Sequence, residues 1–351
     1  MTSVGTPDAV PASPTRRSHR GLILFLCIIV VVGLAEIGTR AIASHLPAPL
    51  QWDTFETQKK VAQMDELAKH GGAQIVYVGS SLVDLGTQPT TVDKMLGSGA
   101  TSYNAALDSS IPRMTAVWTE RFVVPKLHPK VIVLGLGSYD LGAEGGSSRT
   151  AFYNGFLASP GAKQALHKQD PIQTVNQWLS DHSKLWFYKG QLRDPETLVR
   201  AVLDQKQPTT LAEEEGIQVL PDGHQTTNQY QAFNDNPRVE ISNWSLGTKD
   251  TKAVKQLIAW AAKRHILVVL LSMPVTNQFV DLMPKANESE GQFNQALFDI
   301  GLASHTPVLY FDTIRNTKYF SDDIHLDYTG SQYFSAKLGT ALKPLISSAL
   351  K

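Results

Sequence analysis

The chain has 351 residues, 42% of them hydrophobic, enough for one large domain or two small ones with a substantial core. Lys+Arg and Asp+Glu balance at 32 each, so there is no overall basic field of the kind that draws a protein to nucleic acid. The single cysteine, Cys27, excludes an intramolecular disulfide, and no Cys/His spacing of the zinc-site type is present.

Residues 1–15 are rich in Pro, Ser, Thr and Ala and carry nothing to bury, so 1–20 is expected to be a disordered tail. Arg16, Arg17, His19 and Arg20 precede a charge-free run from Gly21 to Ala35. Continued to Ile42, the run reaches the roughly 20 residues needed to cross a bilayer. Glu36 and Arg40 stand four apart near its far end and can pair on one helix face. Basic residues before the span predict a cytoplasmic N-terminus and an extracytoplasmic remainder. Ala41-Ile42-Ala43 has the small-x-small form of a signal-peptide cleavage site, but charged Glu36 and Arg40 just before it favour a retained anchor over 21–42.

A proline-containing stalk is expected from 44 to 55, and a helix over about 56–70 stopped by Gly71-Gly72, so that 43–72 forms a stalk and leading helix. Short apolar runs then alternate with helical patterns. The strand candidates are Gln74–Gly79, Thr101–Ala105, Lys130–Leu136, Ile266–Ser272 and Val308–Phe311; helices are expected over 251–264, 290–304 and 328–349. Near-continuous apolar strands between helices predict a parallel sheet covered on both faces, a three-layer α/β/α flavodoxin-like domain with five strands. This domain is expected to be built from 73–144 and 251–351. The intervening 145–250 is polar with aromatic clusters (Trp178, Trp186-Phe187-Tyr188, Tyr230, Phe233, Trp244) and reads as a partly helical inserted subdomain, cap-like over the active-site edge.

In such sheets ligands bind beyond the carboxyl ends of the strands. Ser81 stands where the first strand ends and a helix begins, so it is either a helix N-cap or an exposed nucleophile beside amides suited to an oxyanion. Between the last strand and the last helix runs Ser321-Asp322-Asp323-Ile324-His325-Leu326-Asp327. A carboxylate three residues before a histidine can bond one ring nitrogen and leave the other for a serine; Asp322, Asp323, His325 and Asp327 also offer metal ligands.

With Gly79-Ser80-Ser81-Leu82, Tyr103–Ser110, Gly137-Ser138-Tyr139-Asp140 and Asp322-Asp323-Ile324-His325 in that order, the sequence resembles the SGNH (GDSL-like) hydrolases. The resemblance spans 73–345. It implies Ser81 as nucleophile, His325 as general acid/base, Asp322 as its orienting residue, and neither cofactor nor metal. It departs at three places: Ser80 replaces the usual Asp, Ser109 falls where the family has an oxyanion Gly, and Tyr139 where it has an Asn. Candidate oxyanion groups are therefore Ser81, Ser109, Ser138 and Tyr139. The Gly-Ser-Ser form, single anchor and long insert are similar to bacterial envelope proteins of the alginate O-acetylation and D-alanyl-lipoteichoic acid transfer types. That likeness implies a single-pass protein of the bacterial inner (cytoplasmic) membrane that transfers an acyl group, most simply acetyl, to a polysaccharide or glycan acceptor. It also implies a multi-pass membrane-bound O-acyltransferase as partner. The alternatives are a carbohydrate or lipid esterase using the same triad and a degenerate binding or scaffold module.

Overall fold

The computed structural model describes residues 20–97, 99–143, 147–168, 171–194, 198–199, 203, 217–227 and 239–350. The expected tail, with its basic residues before Arg20, and the aromatic residues Tyr230 and Phe233 lie outside this set. The chain divides into two compact units, one formed by residues up to Pro49 with Thr174–Pro208, the other by Leu50–Gln173 with Thr209–Lys351.

In the larger unit, β1 (Ile75–Val78), β2 (Ser102–Asn104), β3 (Val131–Leu136), β6 (Leu267–Ser272) and β7 (Val308–Tyr310) form one parallel sheet in the order β2-β1-β3-β6-β7. The two intervening strands, β4 (Ile217–Val219) and β5 (Gln225–Thr227), form a separate antiparallel hairpin. Every residue of β1 and β3 is buried, and successive strand side chains point to opposite faces, so both faces are covered. The covering helices include Phe55–Lys69, Pro89–Leu96, Thr248–Ala262, Asn287–Ser304 and Tyr328–Ile346. The α/β fold is therefore the one expected, with strand and helix ends within a few residues of the sequence reading.

Two stretches depart from expectation. The stalk does not stay apart: Trp52 packs with Trp118, Phe122 and Phe156, ring centroids 5.3–6.3 Å away. A lone tryptophan following Pro47 and Pro49 gives no sign of such distant partners. The 145–250 stretch, expected as one subdomain, is shared between the two units. Its hairpin joins the larger unit, where Asn104 N–H donates to the Asp222 carbonyl (2.8 Å) and the Gln63 amide to that of Leu220 (2.9 Å).

At the end of β2, the fully buried Asn104 donates through Nδ2 to the carbonyls of Val83 (2.9 Å), Asp84 (3.1 Å) and Thr87 (2.9 Å), while its Oδ1 accepts from Ala106 N–H (3.1 Å). It thereby holds the short helix Ser81–Gly86 against the sheet. Asn104→Leu strands these buried groups, and a loss of about 2–4 kcal/mol is expected in urea unfolding.

Candidate active site

β1 delivers Ser81 through a turn that only glycine can make. Gly79 has φ +156°, and a Cβ there would lie 2.5 Å from Val83 Cγ2 and 2.6 Å from the Gly135 carbonyl oxygen. Gly137 after β3 leaves room for Leu82, whose Cδ1 would be 2.4 Å from a Cβ at that position. Ser81 is the first residue of its helix, at a partly exposed position, and the first-turn amides of Val83 and Asp84 donate to the Ser80 carbonyl (3.0 and 3.1 Å).

Asp322 and His325 arrive on a tight loop closed by the Phe320–Leu326 bridge and by the Ser321 N–H to His325 carbonyl bond (2.9 Å). Phe320, Ile324 and Leu326 are buried and anchor that loop. Asp322 Oδ1 accepts from the amides of Ile324 (2.9 Å) and His325 (2.7 Å), and Oδ2 stands 2.7 Å from His325 Nδ1. His325 Nε2 is 2.8 Å from Ser81 Oγ. With the carboxylate an acceptor only, Nδ1 carries the proton and Nε2 is left to accept from the serine hydroxyl. Burial alone would raise the Asp322 pKa, but the hydrogen bond and charge of His325 and the two amides together hold it well below the usual carboxylate range.

A group with a depressed folded-state pKa contributes stability above its unfolded value, and that stability is lost as pH falls toward the folded one. Asp322→Asn is accordingly expected to lower the urea midpoint near pH 7, and the gap to the parent should shrink below about pH 4.

Of the other carboxylates in the loop, Asp327 caps the last helix by accepting from Gly330 N–H (2.6 Å), and the Asp323 carbonyl accepts from Thr276 N–H (3.1 Å) and Oγ1 (2.7 Å). Asp322 and His325 thus pair with each other, Asp327 serves the last helix, and Asp323 contributes its backbone carbonyl.

The candidate oxyanion groups are placed unequally. Ser109 adopts φ +56°, and its N–H donates to Asp108 Oδ1 (2.7 Å). The buried Ser138 offers its carbonyl to Trp244 Nε1 (2.7 Å). Tyr139 lies under the Arg149 guanidinium, 4.6 Å from its ring centroid.

Arg149, which no motif in the sequence singles out, is only 5% exposed and ties these loops together. It donates to the carbonyls of Ser109 (3.4 Å), Ser110 and Tyr139 (3.3 Å) and to Asp140 Oδ1 (2.5 Å). Asp140 Oδ2 in turn accepts from Gly137 N–H (2.8 Å) and from Ser80 Oγ (3.2 Å). Ser80 is thus bound to the loop after β3, and Ser110 Oγ donates to the Gly79 carbonyl (2.8 Å).

No family model matches the sequence, and no curated protein matches it. Solved structures similar to this chain include a GDSL-like lipase from Bacteroides thetaiotaomicron, at 12% identity and TM-score 0.38, covering 82% of this chain and 99% of that one. A catalytic mutant of an acetylxylan esterase from Geobacillus stearothermophilus has 10% identity and TM-score 0.37, covering 78% and 94%. A carbohydrate acetylesterase from Sinorhizobium meliloti has 10% identity and TM-score 0.34, covering 78% and 99%. At these values the likeness carries no weight for the chemistry, which rests on the geometry of Ser81, His325 and Asp322.

Proposed function

We propose that this chain, whose ordered blocks resemble those of the SGNH hydrolases, is a serine-dependent acyl enzyme that transfers an acyl group, most simply acetyl, to a glycan hydroxyl outside the cytoplasm. The observation that carries this reading is the hydrogen-bonded relay from Ser81 through His325 to Asp322. His325 Nε2 takes the hydroxyl proton as Ser81 Oγ attacks the acyl carbonyl, and Asp322 stabilises the imidazolium that forms. The Ser81 amide faces the developing oxyanion. Ser109 N–H becomes a second donor when the Asp108 carboxylate gives way to that oxyanion. The leaving group takes the proton from His325, which leaves acyl-Ser81. An acceptor hydroxyl, deprotonated by the same imidazole, then attacks the ester, receives the acyl group and restores the serine.

The helix Arg20–Ile42, long and apolar enough to cross a membrane, supports retention at a bilayer where acyl groups are delivered. A multi-pass membrane-bound O-acyltransferase is the partner this arrangement suits. To separate transfer from hydrolysis, the full chain in lipid nanodiscs is given an aryl acetate with and without an oligosaccharide acceptor. Transfer yields acetylated oligosaccharide that is absent with Ser81→Ala. Release of free acetate alone, unchanged by acceptors, would make the protein an esterase.

A further inference from the structure

In the smaller unit the anchor helix and part of the insert are joined through one carboxylate. Glu36 lies within the helix Arg20–Ile42 and accepts four hydrogen bonds. Oε1 takes Arg40 Nε (2.7 Å) and Lys184 N–H (3.0 Å); Oε2 takes Ser183 Oγ (2.8 Å) and Leu185 N–H (2.9 Å). Next to this knot Leu46 and Tyr188 are buried together among Ile42, Ala43, Phe187 and Leu192, sealing the end of the span.

The depth of that knot follows from helix geometry. Counting from Gly21 at 1.5 Å per residue, Glu36 lies roughly 22 Å along the helix, about 8 Å short of the far boundary of a ~30 Å hydrocarbon core. A bare carboxylate there is costly, and polar groups at such depth are satisfied from within the protein. The insert supplies these donors, so Ser183 is drawn down to the level of Glu36.

Ser183 directly follows the helix Pro171–His182, and its N–H donates to the Leu179 carbonyl (2.8 Å). The end of that helix therefore shares the depth of Ser183. Ile172, Val175 and Trp178 recur along it at three-residue steps and are 73%, 57% and 57% exposed. In water such a stripe is unfavourable; at the boundary of a bilayer it is what an in-plane helix buries, with tryptophan at headgroup level.

We propose that the part of this helix that belongs to the smaller unit, from Thr174 to His182, lies in the lipid interface, with Val175 among the acyl chains and Trp178 at headgroup level, as a second membrane contact clamped to the anchor by Glu36. This assignment rests on the anchor reading and is independent of the catalytic one.

The test uses the full chain in nanodiscs with Cys27→Ser and a single spin label at Val175→Cys. Control labels stand at Val31→Cys in the span and at the exposed Lys249→Cys in the larger unit. The ratio of collisions with oxygen to those with a water-soluble nickel chelate is expected to be several-fold higher at 175 than at 249, and of the same kind as at 31. A lipid-like ratio at 31 with free nickel access at 175 would overturn the proposal, because the helix would then be in water. Protection of 175 from both reagents would also overturn it, because a protein surface would be covering the stripe. Nickel access at 31 would overturn the anchor reading and this proposal with it. Glu36→Gln with a lipid-like 31 is expected to raise nickel access at 175, since the clamp loses its charge.

Discussion

Ser81→Ala is expected to lower acyl transfer and ester hydrolysis by about four to six orders of magnitude while leaving the urea midpoint nearly unchanged. The rate loss follows from the coupling of nucleophile and base, which act as a unit whose members are not additive. His325 Nε2 has no substrate-directed task once Ser81 Oγ is gone, so Ser81→Ala/His325→Ala should be scarcely slower than either single change. Stability should hardly move, because Ser81 is partly exposed and the cap of its helix is Ser80, not Ser81. Initial rates on an aryl acetate, with denaturation curves beside them, check both halves. A triple-point comparison in which the double variant loses the sum of the single losses would mean that Ser81 and His325 act separately.

Lys60→Met is expected to destabilise the protein by about 3–5 kcal/mol, the largest stability effect among the single changes considered. Lys60 and Asp84 are both 0% exposed; the ammonium contacts Asp84 Oδ1, donates to the Ala106 carbonyl (2.5 Å) and lies 3.5 Å from Glu56 Oε1. Glu56 accepts from Asp108 N–H (3.1 Å), so the cluster joins the leading helix, the Ser81 helix and the loop carrying Ser109. Burial pushes the carboxyls of Glu56 and Asp84 up, against the pull of Lys60. A carboxyl whose folded pKa is raised contributes stability below its unfolded value and loses it as pH rises through the folded one. Without Lys60 that loss grows, so the deficit of Lys60→Met should be smaller near pH 5 than near pH 8. Adding Asp84→Asn to Lys60→Met should recover part of it. Urea unfolding at the two pH values checks the sign.

Much of the fold was legible because parallel strands buried on both faces leave unbroken apolar runs, as in Val131–Leu136 and Leu267–Ser272. The Asp322–His325 pair was legible because its geometry is local, three residues apart on one loop. Ser81 was legible from its place at a strand end, although its distance to His325 was not. The cation Lys60 was hidden because its helix buries Glu56, Thr57 and Lys60, a polar face that reads as solvated. Arg149 was hidden because its partners at 109, 110, 139 and 140 are assembled only by the fold. The attachment of the β4–β5 hairpin beside β2 depends on Asp222 meeting Asn104 across more than a hundred residues, and local pattern carries no trace of it. Departures from the family pattern at Ser109 and Tyr139 were visible, but their consequence was not. Arg149 supports that region through carbonyls, and Asp108 holds the Ser109 amide, and neither follows from residue types alone.

The most direct measurement is fluorophosphonate labelling of the full chain in nanodiscs, followed by peptide mapping, beside His325→Ala. A single phosphonyl group on Ser81, lost in His325→Ala, is the expected result, because the reagent reports a serine activated by its histidine. A folded protein that stays unlabelled at Ser81, with or without the proposed membrane-bound O-acyltransferase, would contradict the catalytic reading and leave a binding module on the same fold.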